Sequence, residues 1–159
     1  MNSTALSKME SGTELTDLSE TSRQFVTVYV GAQLFGIPVL KVQDVIRQQS
    51  MTNIPLAPQV VAGVLNLRGR IVTAVDLRSR FQLAGTGEGG INFNVVVENK
   101  GDLYSLLVDR VGDVLSLPPE NFEKNPSNLE PGIKDVSTGI YRLKDELMIV
   151  LDVEKLLVI

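Results

Sequence analysis

The chain has 159 residues, a formal charge of −4, 43% hydrophobic residues, few aromatics and no tryptophan. That length holds one domain or two small ones around an aliphatic core, and the charge argues against a nucleic-acid partner. It has neither cysteine nor histidine, which excludes disulfides, thiolate or imidazole metal sites, cysteine nucleophiles and histidine bases; carboxylate or lysine chemistry stays open, but no catalytic residue or metal site is assigned.

Residues 1–22 are rich in Ser, Thr and Glu without an apolar block. They read as a disordered tail rather than a signal peptide. No apolar run approaches the roughly 18 residues of a membrane-spanning helix, so no direct membrane insertion and a cytoplasmic location are expected. Phe25 to Val30 is β-branched and aromatic and predicts a strand. Gly31 turns the chain, and Gln33 to Ile37 returns as a hairpin partner ended by Pro38. Val39, Val42, Val45 and Ile46 recur at helical spacing and predict a short helical turn. Ile54 to Pro58 reads as an extended, proline-punctuated loop.

Gly63 to Leu67 and Ile71 to Val75 predict two strands joined by a tight turn at Arg68-Gly69. The apolar positions Val64, Leu65, Leu67, Ile71, Val72 and Val75 are expected to bury both faces. Asp76 is an N-cap residue for a helical stretch from Leu77 to Leu83. Gly85 to Gly90 is a flexible linker. Phe93 to Glu98, Leu103 to Val108 and Val114 to Leu117 are further strands. Pro118 to Lys134 reads as a long surface loop. Ile140 to Leu143 and Leu147 to Leu151 form a hairpin turning at Lys144-Asp145, and Asp152 caps a helix from Val153 to Leu157.

The chain repeats itself. Gly63 to Leu77 aligns without a gap on Gly139 to Val153, with glycine, leucine, base, apolar pair and aspartate in register. Upstream, Val39 to Val45 resembles Val108 to Val114, and Phe25 and Phe93 open the two copies. Each copy holds about five short strands, the pattern of small barrels or a sandwich. The expected fold is mainly β: two packed five-stranded barrels with short helices, one face filling each barrel and the other packing on its twin. After the 1–22 tail, the domain runs over 23–159 in halves of roughly 29–90 and 91–159, with the strand near 24–28 open to joining the second half.

Arg68 is mounted on a hairpin tip and suits a carboxylate or amide on a partner; a merely solvated turn residue is the other reading. Arg68, Arg70, Arg78 and Arg80 are either solvated or a basic patch for an acidic partner. The Val39, Val42, Val45, Ile46 stripe reads as core more readily than as a docking surface. Asp44 and Asp113 occupy equivalent places, which favours a structural role over a catalytic pair.

Phe35-Gly-Ile-Pro-Val39, Val42-Gln-Asp44-Val45, Gly63-Val-Leu-Asn66-Leu67-Arg68-Gly69, Asp76-Leu77-Arg78 and Leu107-Val108-Asp109 together resemble the CheW family, the coupling proteins of bacterial chemotaxis. The resemblance covers residues 24–159. It implies two five-stranded SH3-like barrels sharing an apolar interface. It also implies a non-enzymatic adaptor without a cofactor that couples chemoreceptors to the histidine kinase CheA, recruited to receptor arrays at the inner face of the membrane. The implied partners are the cytoplasmic tips of methyl-accepting chemotaxis proteins and the regulatory domain of CheA. Family receptor-binding positions fall on Val42, Asp44, Gly63 and Arg68, with Asn66 and Gly69 holding the turn; Asp44 is often Glu in the family. Kinase-docking positions fall near Val26, Val39 and Val45. A related scaffold serving a chemosensory pathway with another output is the alternative.

Overall fold

A computed structural model describes residues 23–83 and 93–159; the tail at 1–22 and the linker at 85–90 lie outside the described residues. The chain is mainly β, in two sheets. In chain order the strands are β1 (Arg23–Val30), β2 (Gln33–Pro38), β3 (Val42–Arg47), β4 (Val61–Leu67), β5 (Arg70–Asp76), β6 (Phe93–Asn99), β7 (Asp102–Val108), β8 (Arg110–Leu117), β9 (Phe122–Glu123), β10 (Ser137–Arg142) and β11 (Leu147–Leu151). Helix α1 is Leu77–Arg80, α2 is Pro131–Lys134 and α3 is Val153–Leu156.

One sheet has the order β8-β1-β2-β11-β10-β9 and the other β3-β6-β7-β5-β4. The same ladder is therefore built twice. β1 lies between β8 and β2 as β6 lies between β3 and β7, and the parallel pairing of β2 with β11 matches that of β7 with β5. The duplication carries an exchange. The β1–β2 hairpin joins the sheet of the second copy, and the β6–β7 hairpin joins that of the first. The division at 29–90 and 91–159 follows the repeat in sequence, while the hydrogen bonds run across it. The extra β9 has a reduced counterpart, the isolated bridge of Thr52 with Val64.

Alternation along the strands sorts the apolar side chains. Val26, Val28 and Val30 join Val95, Val97, Leu106 and Val108 in a core drawn from both sheets. The opposite faces supply two smaller clusters, Phe25 with Leu34, Tyr141 and Met148, and Leu65 with Val72, Ala74 and Leu107. One face thus packs on the twin sheet and the other fills its own. Ile71 departs from the expectation, because it is 67% exposed.

The capping residues act as their chemistry requires. Asp76 accepts from the Arg78 N–H at 3.0 Å, and Asp152 from the Lys155 N–H at 3.2 Å. Helix α1 is shorter than the expected 77–83, since Gln82 takes φ +61 and cannot continue it. The stretch from Pro118 to Lys134 is not one loop: it holds a 3-10 turn at Pro119–Asn121, β9 and α2.

The predicted helical turn across Val39 to Ile46 is replaced by a three-residue 3-10 turn, Val39–Lys41, followed by β3. A bulge explains the misleading period. Val42 pairs with Val97 and Val45 with Val95, but Asp44 pairs with Val96, so the register shifts between Val42 and Asp44. Val42 and Val45 therefore share a face at a spacing of three, which imitates a helix. The stripe is core only in part: Val39 and Val42 pack against the shared core, while Val45 is 37% exposed. An equivalent shift lies between Val26 and Val28 where β1 meets β8.

Candidate functional site

The β4–β5 turn is a two-residue loop closed by the pairing of Leu67 with Arg70. Both loop residues have positive φ, Arg68 at +53 and Gly69 at +84. A twist-matched hairpin turn requires this, and it suits Asn-Gly far better than Arg-Gly. The Gly69 N–H donates to Asn66 Oδ1 at 3.0 Å and fixes the turn. Arg68 is thus held in a conformation that its own side chain disfavours.

The Arg68 guanidinium reaches Asp44 Oδ2 at 3.4 Å, with 88% of the arginine side chain and 39% of the aspartate side chain exposed. So open an ion pair contributes about 0–1 kcal/mol to stability and is exchanged at little cost. The other Asp44 oxygen accepts the Val45 N–H at 2.9 Å, which orients the carboxylate on the bulge. Between Asp44 and Arg68 lies a hollow of about 230 Å³ lined by Gln43, Ile46, Leu67, Arg70, Val96 and Leu103. It offers an apolar floor under a rim of one carboxylate and two guanidinium groups.

The structure brings Asp44, Asn66, Arg68 and Gly69 to this place and separates Val42 from it. Val42 pairs with Val97 and packs toward the core shared by the sheets, on the face of β3 opposite Asp44. The apolar partners of the ion pair are Ile46, Leu67, Val96 and Leu103 instead. Sequence reasoning missed them because the bulge hides which side chains share a face. Gly63 is buried, and a Cβ there would lie 2.6 Å from the Thr52 carbonyl oxygen. It lets β4 approach the strand-like bridge at Thr52, and Gly139 meets the Glu123 carbonyl in the same way at 2.5 Å.

The four clustered arginines do not form one patch. Arg70 donates to the Gly101 carbonyl at 3.3 Å. Arg78 meets Asp109 at 2.6 Å with only 12% of either side chain exposed, and Asp109 also accepts the Gly31 N–H at 2.6 Å. Arg80 donates to the Leu156 and Lys155 carbonyls at 2.9 and 3.0 Å, closing the C-terminal end of α3. Asp113 sits on β8 in the other sheet from Asp44 and is exposed, so the two form no carboxylate pair within one cleft.

Of the positions expected to dock a kinase, Val26 is 7% exposed and belongs to the shared core, pairing with Ile37 and Val114. It presents no docking surface. Val39 lines a groove of about 940 Å³ at one end of the six-stranded sheet, bounded by Phe25, Leu40, Phe122, Val150 and Val153. Val45 shares the core-side face of β3 with Val42 but is 37% exposed.

Two tyrosines have raised pKa values. The Tyr29 hydroxyl donates to the Glu146 carboxylate at 2.9–3.0 Å, and that bond, helped by desolvation, pushes its ionisation above the ordinary value. Burial does the same for Tyr141, whose hydroxyl has no hydrogen-bond partner among the described residues. Among the described residues no three His, Cys, Asp or Glu side chains group to hold a metal ion, and no helix is long and apolar enough to cross a membrane.

A family model for the CheW-like domain matches residues 24–158. The chemotaxis protein CheW of Klebsiella aerogenes is 35% identical over 136 residues, covering 85% of this chain and 81% of that protein. The chemotaxis protein CheW of Treponema pallidum is 29% identical over 137 residues, covering 84% and 81%. The crystal structure of the scaffolding protein TtCheW from Thermoanaerobacter tengcongensis superposes with a TM-score of 0.77 at 26% identity, covering 86% of this chain and 93% of that one.

Proposed function

This chain belongs to the CheW-like domain family, and from that premise we propose that it is a non-enzymatic chemotaxis adaptor joining receptor tips to the regulatory domain of the kinase CheA. The supporting observation is Arg68, held at φ +53 and 3.4 Å from Asp44 above an apolar hollow. An exposed guanidinium on a backbone of positive φ adds little to the fold. It suits a partner carboxylate or amide that displaces Asp44 while an apolar side chain enters the hollow.

The receptor face is Asp44 and Arg68 over Ile46, Leu67, Val96 and Leu103, with Asn66 and Gly69 shaping the turn and Gly63 seating β4. Val42 supports β3 from behind. A helical receptor tip meets such a surface with apolar anchors and a polar rim. The kinase face uses Val39 in the groove and the part-exposed Val45, without Val26. Through these partners the protein works in the cytoplasm, at receptor arrays on the inner face of the membrane.

Calorimetric titration of the folded protein with the CheA regulatory domain and, separately, with a receptor-tip hairpin tests the assignment. Val39→Glu should weaken only the kinase and Arg68→Ala only the receptor. If both substitutions leave both affinities unchanged at normal stability, the two faces are misassigned. If neither partner binds the wild-type protein, the adaptor reading itself is wrong.

A further inference from the structure

Asn94 and Ser105 are fully buried, yet both polar atoms of the Asn94 amide and the Ser105 hydroxyl lack a hydrogen-bond partner among the described residues. Val95 and Val97 on β6, and Leu106 and Val108 on β7, point into the core shared by the sheets. Asn94 and Ser105 alternate with them and so occupy the opposite face of the five-stranded sheet. Leu65, Val72, Ala74 and Leu107 form the apolar cluster of that face. An unpaired buried polar group is destabilising, and three such atoms in one place call for a partner.

The twin sheet indicates that this face has room for one. Phe25 holds the place of Asn94 there, since it pairs with Pro38 and Leu115 as Asn94 pairs with Leu107 and Ile46. Gly36 likewise holds the place of Ser105, and Tyr141 and Met148 those of Leu65 and Val72. That interior is full: a Cβ on Gly36 would lie 2.7 Å from Met148 Cε. The five-stranded sheet carries Asn for Phe, Leu for Tyr and Val for Met on the same ladder, so a serine side chain fits where the twin admits only glycine. Much of the lost apolar bulk gives way to polar atoms.

Asn94 and Ser105 are diagonal neighbours on adjacent strands, because Asn94 pairs with Leu107 and Ser105 with Val96. Diagonal positions lie about 7–8 Å apart, beyond direct contact for two short side chains but within the span of two hydrogen bonds. A water molecule both donates and accepts, as an amide and a hydroxyl together require, and a buried water typically makes about three hydrogen bonds. We propose that this face of the five-stranded sheet binds an ordered water that bridges the Asn94 amide and the Ser105 hydroxyl. In the six-stranded sheet the Tyr141 hydroxyl stands alone as an unpaired buried atom among the described residues, and one group does not hold a water. The water lies beneath the hollow between Asp44 and Arg68. Val96, the cross-strand partner of Ser105, and Leu103, two residues before it, line that hollow. The site stands whichever partner uses the hollow.

The full-length, isotope-labelled chain tests this through NOE and ROE spectra that select magnetisation of the water line. Both side-chain amide protons of Asn94 should give water cross-peaks of opposite sign in the two spectra, the signature of a molecule that tumbles with the protein. Ser105→Ala removes only the hydroxyl oxygen and should weaken these cross-peaks at least about twofold while the backbone spectrum stays that of the folded protein. Cross-peaks absent from the wild-type protein, or of the same sign in both spectra as proton exchange produces, would overturn the water site. Cross-peaks as strong in Ser105→Ala as in the wild-type protein would overturn the bridge.

Discussion

Arg68 and Asp44 meet at 3.4 Å although they come from opposite ends of one sheet. In the order β3-β6-β7-β5-β4, Asp44 lies on the first strand and Arg68 at the tip joining the last two. The sheet must curl strongly for its ends to approach so closely. That curvature places a carboxylate and a guanidinium on either side of an apolar hollow.

Arg68 separates turn stability from recognition. Arg68→Asn puts a residue that tolerates positive φ into the same turn, and should raise stability by about 0.5–1 kcal/mol in urea denaturation. The same substitution should weaken receptor-tip binding by about 1–3 kcal/mol, the worth of a charged hydrogen bond. Unchanged affinity in the stabilised protein would remove Arg68 from the receptor face.

The Arg78–Asp109 pair should behave as a structural bond. Each side chain is mostly buried, and Asp109 also holds the Gly31 N–H of the exchanged β1–β2 hairpin. Arg78→Met leaves a buried carboxylate without its guanidinium and should cost about 3–5 kcal/mol. Combining it with Asp109→Asn should cost less than the sum of the two single changes. Additive losses in a denaturation cycle would show that the pair is not coupled.

Gly63→Ala forces a Cβ to 2.6 Å from the Thr52 carbonyl oxygen, and backbone on both sides must give way. A loss of about 1–3 kcal/mol is expected, the usual range for overpacking. If Gly63 acts only by seating β4, receptor binding measured at low temperature on the folded fraction should change little. A large loss of affinity at full stability would instead place Gly63 in the contact itself.

Alkaline stability should depend on the two raised tyrosines. Their folded-state pKa values exceed the unfolded value of about 10. The folded protein therefore holds these protons longer than the unfolded chain. Their stabilisation is complete below pH 10 and is lost as pH rises through the folded-state values. Tyr29→Phe should flatten the decline in melting temperature above pH 10; an unchanged slope would exclude Tyr29. Tyr141→Phe removes a buried hydroxyl that lacks a partner among the described residues, and should leave stability at pH 7 equal or higher.

The alignment of Gly63 to Leu77 on Gly139 to Val153 announced a duplicated β-protein, and the structure builds the same ladder twice. The caps at Asp76 and Asp152 and the turn at Arg68-Gly69 were equally legible. Each depends on a few consecutive residues whose φ preferences and hydrogen-bonding groups act locally. The exchange of hairpins between sheets was not legible, because two equivalent strands offer the same edge to either partner. Only burial of both apolar faces at once decides between them. For the same reason Asp109 found Arg78 across 31 residues, and Val26 proved to be core rather than surface. One extra residue in the pairing of β3 with β6 put Val42 and Asp44 on opposite faces. A bulge is defined by the neighbouring strand, so the chain that contains it carries no local mark of it.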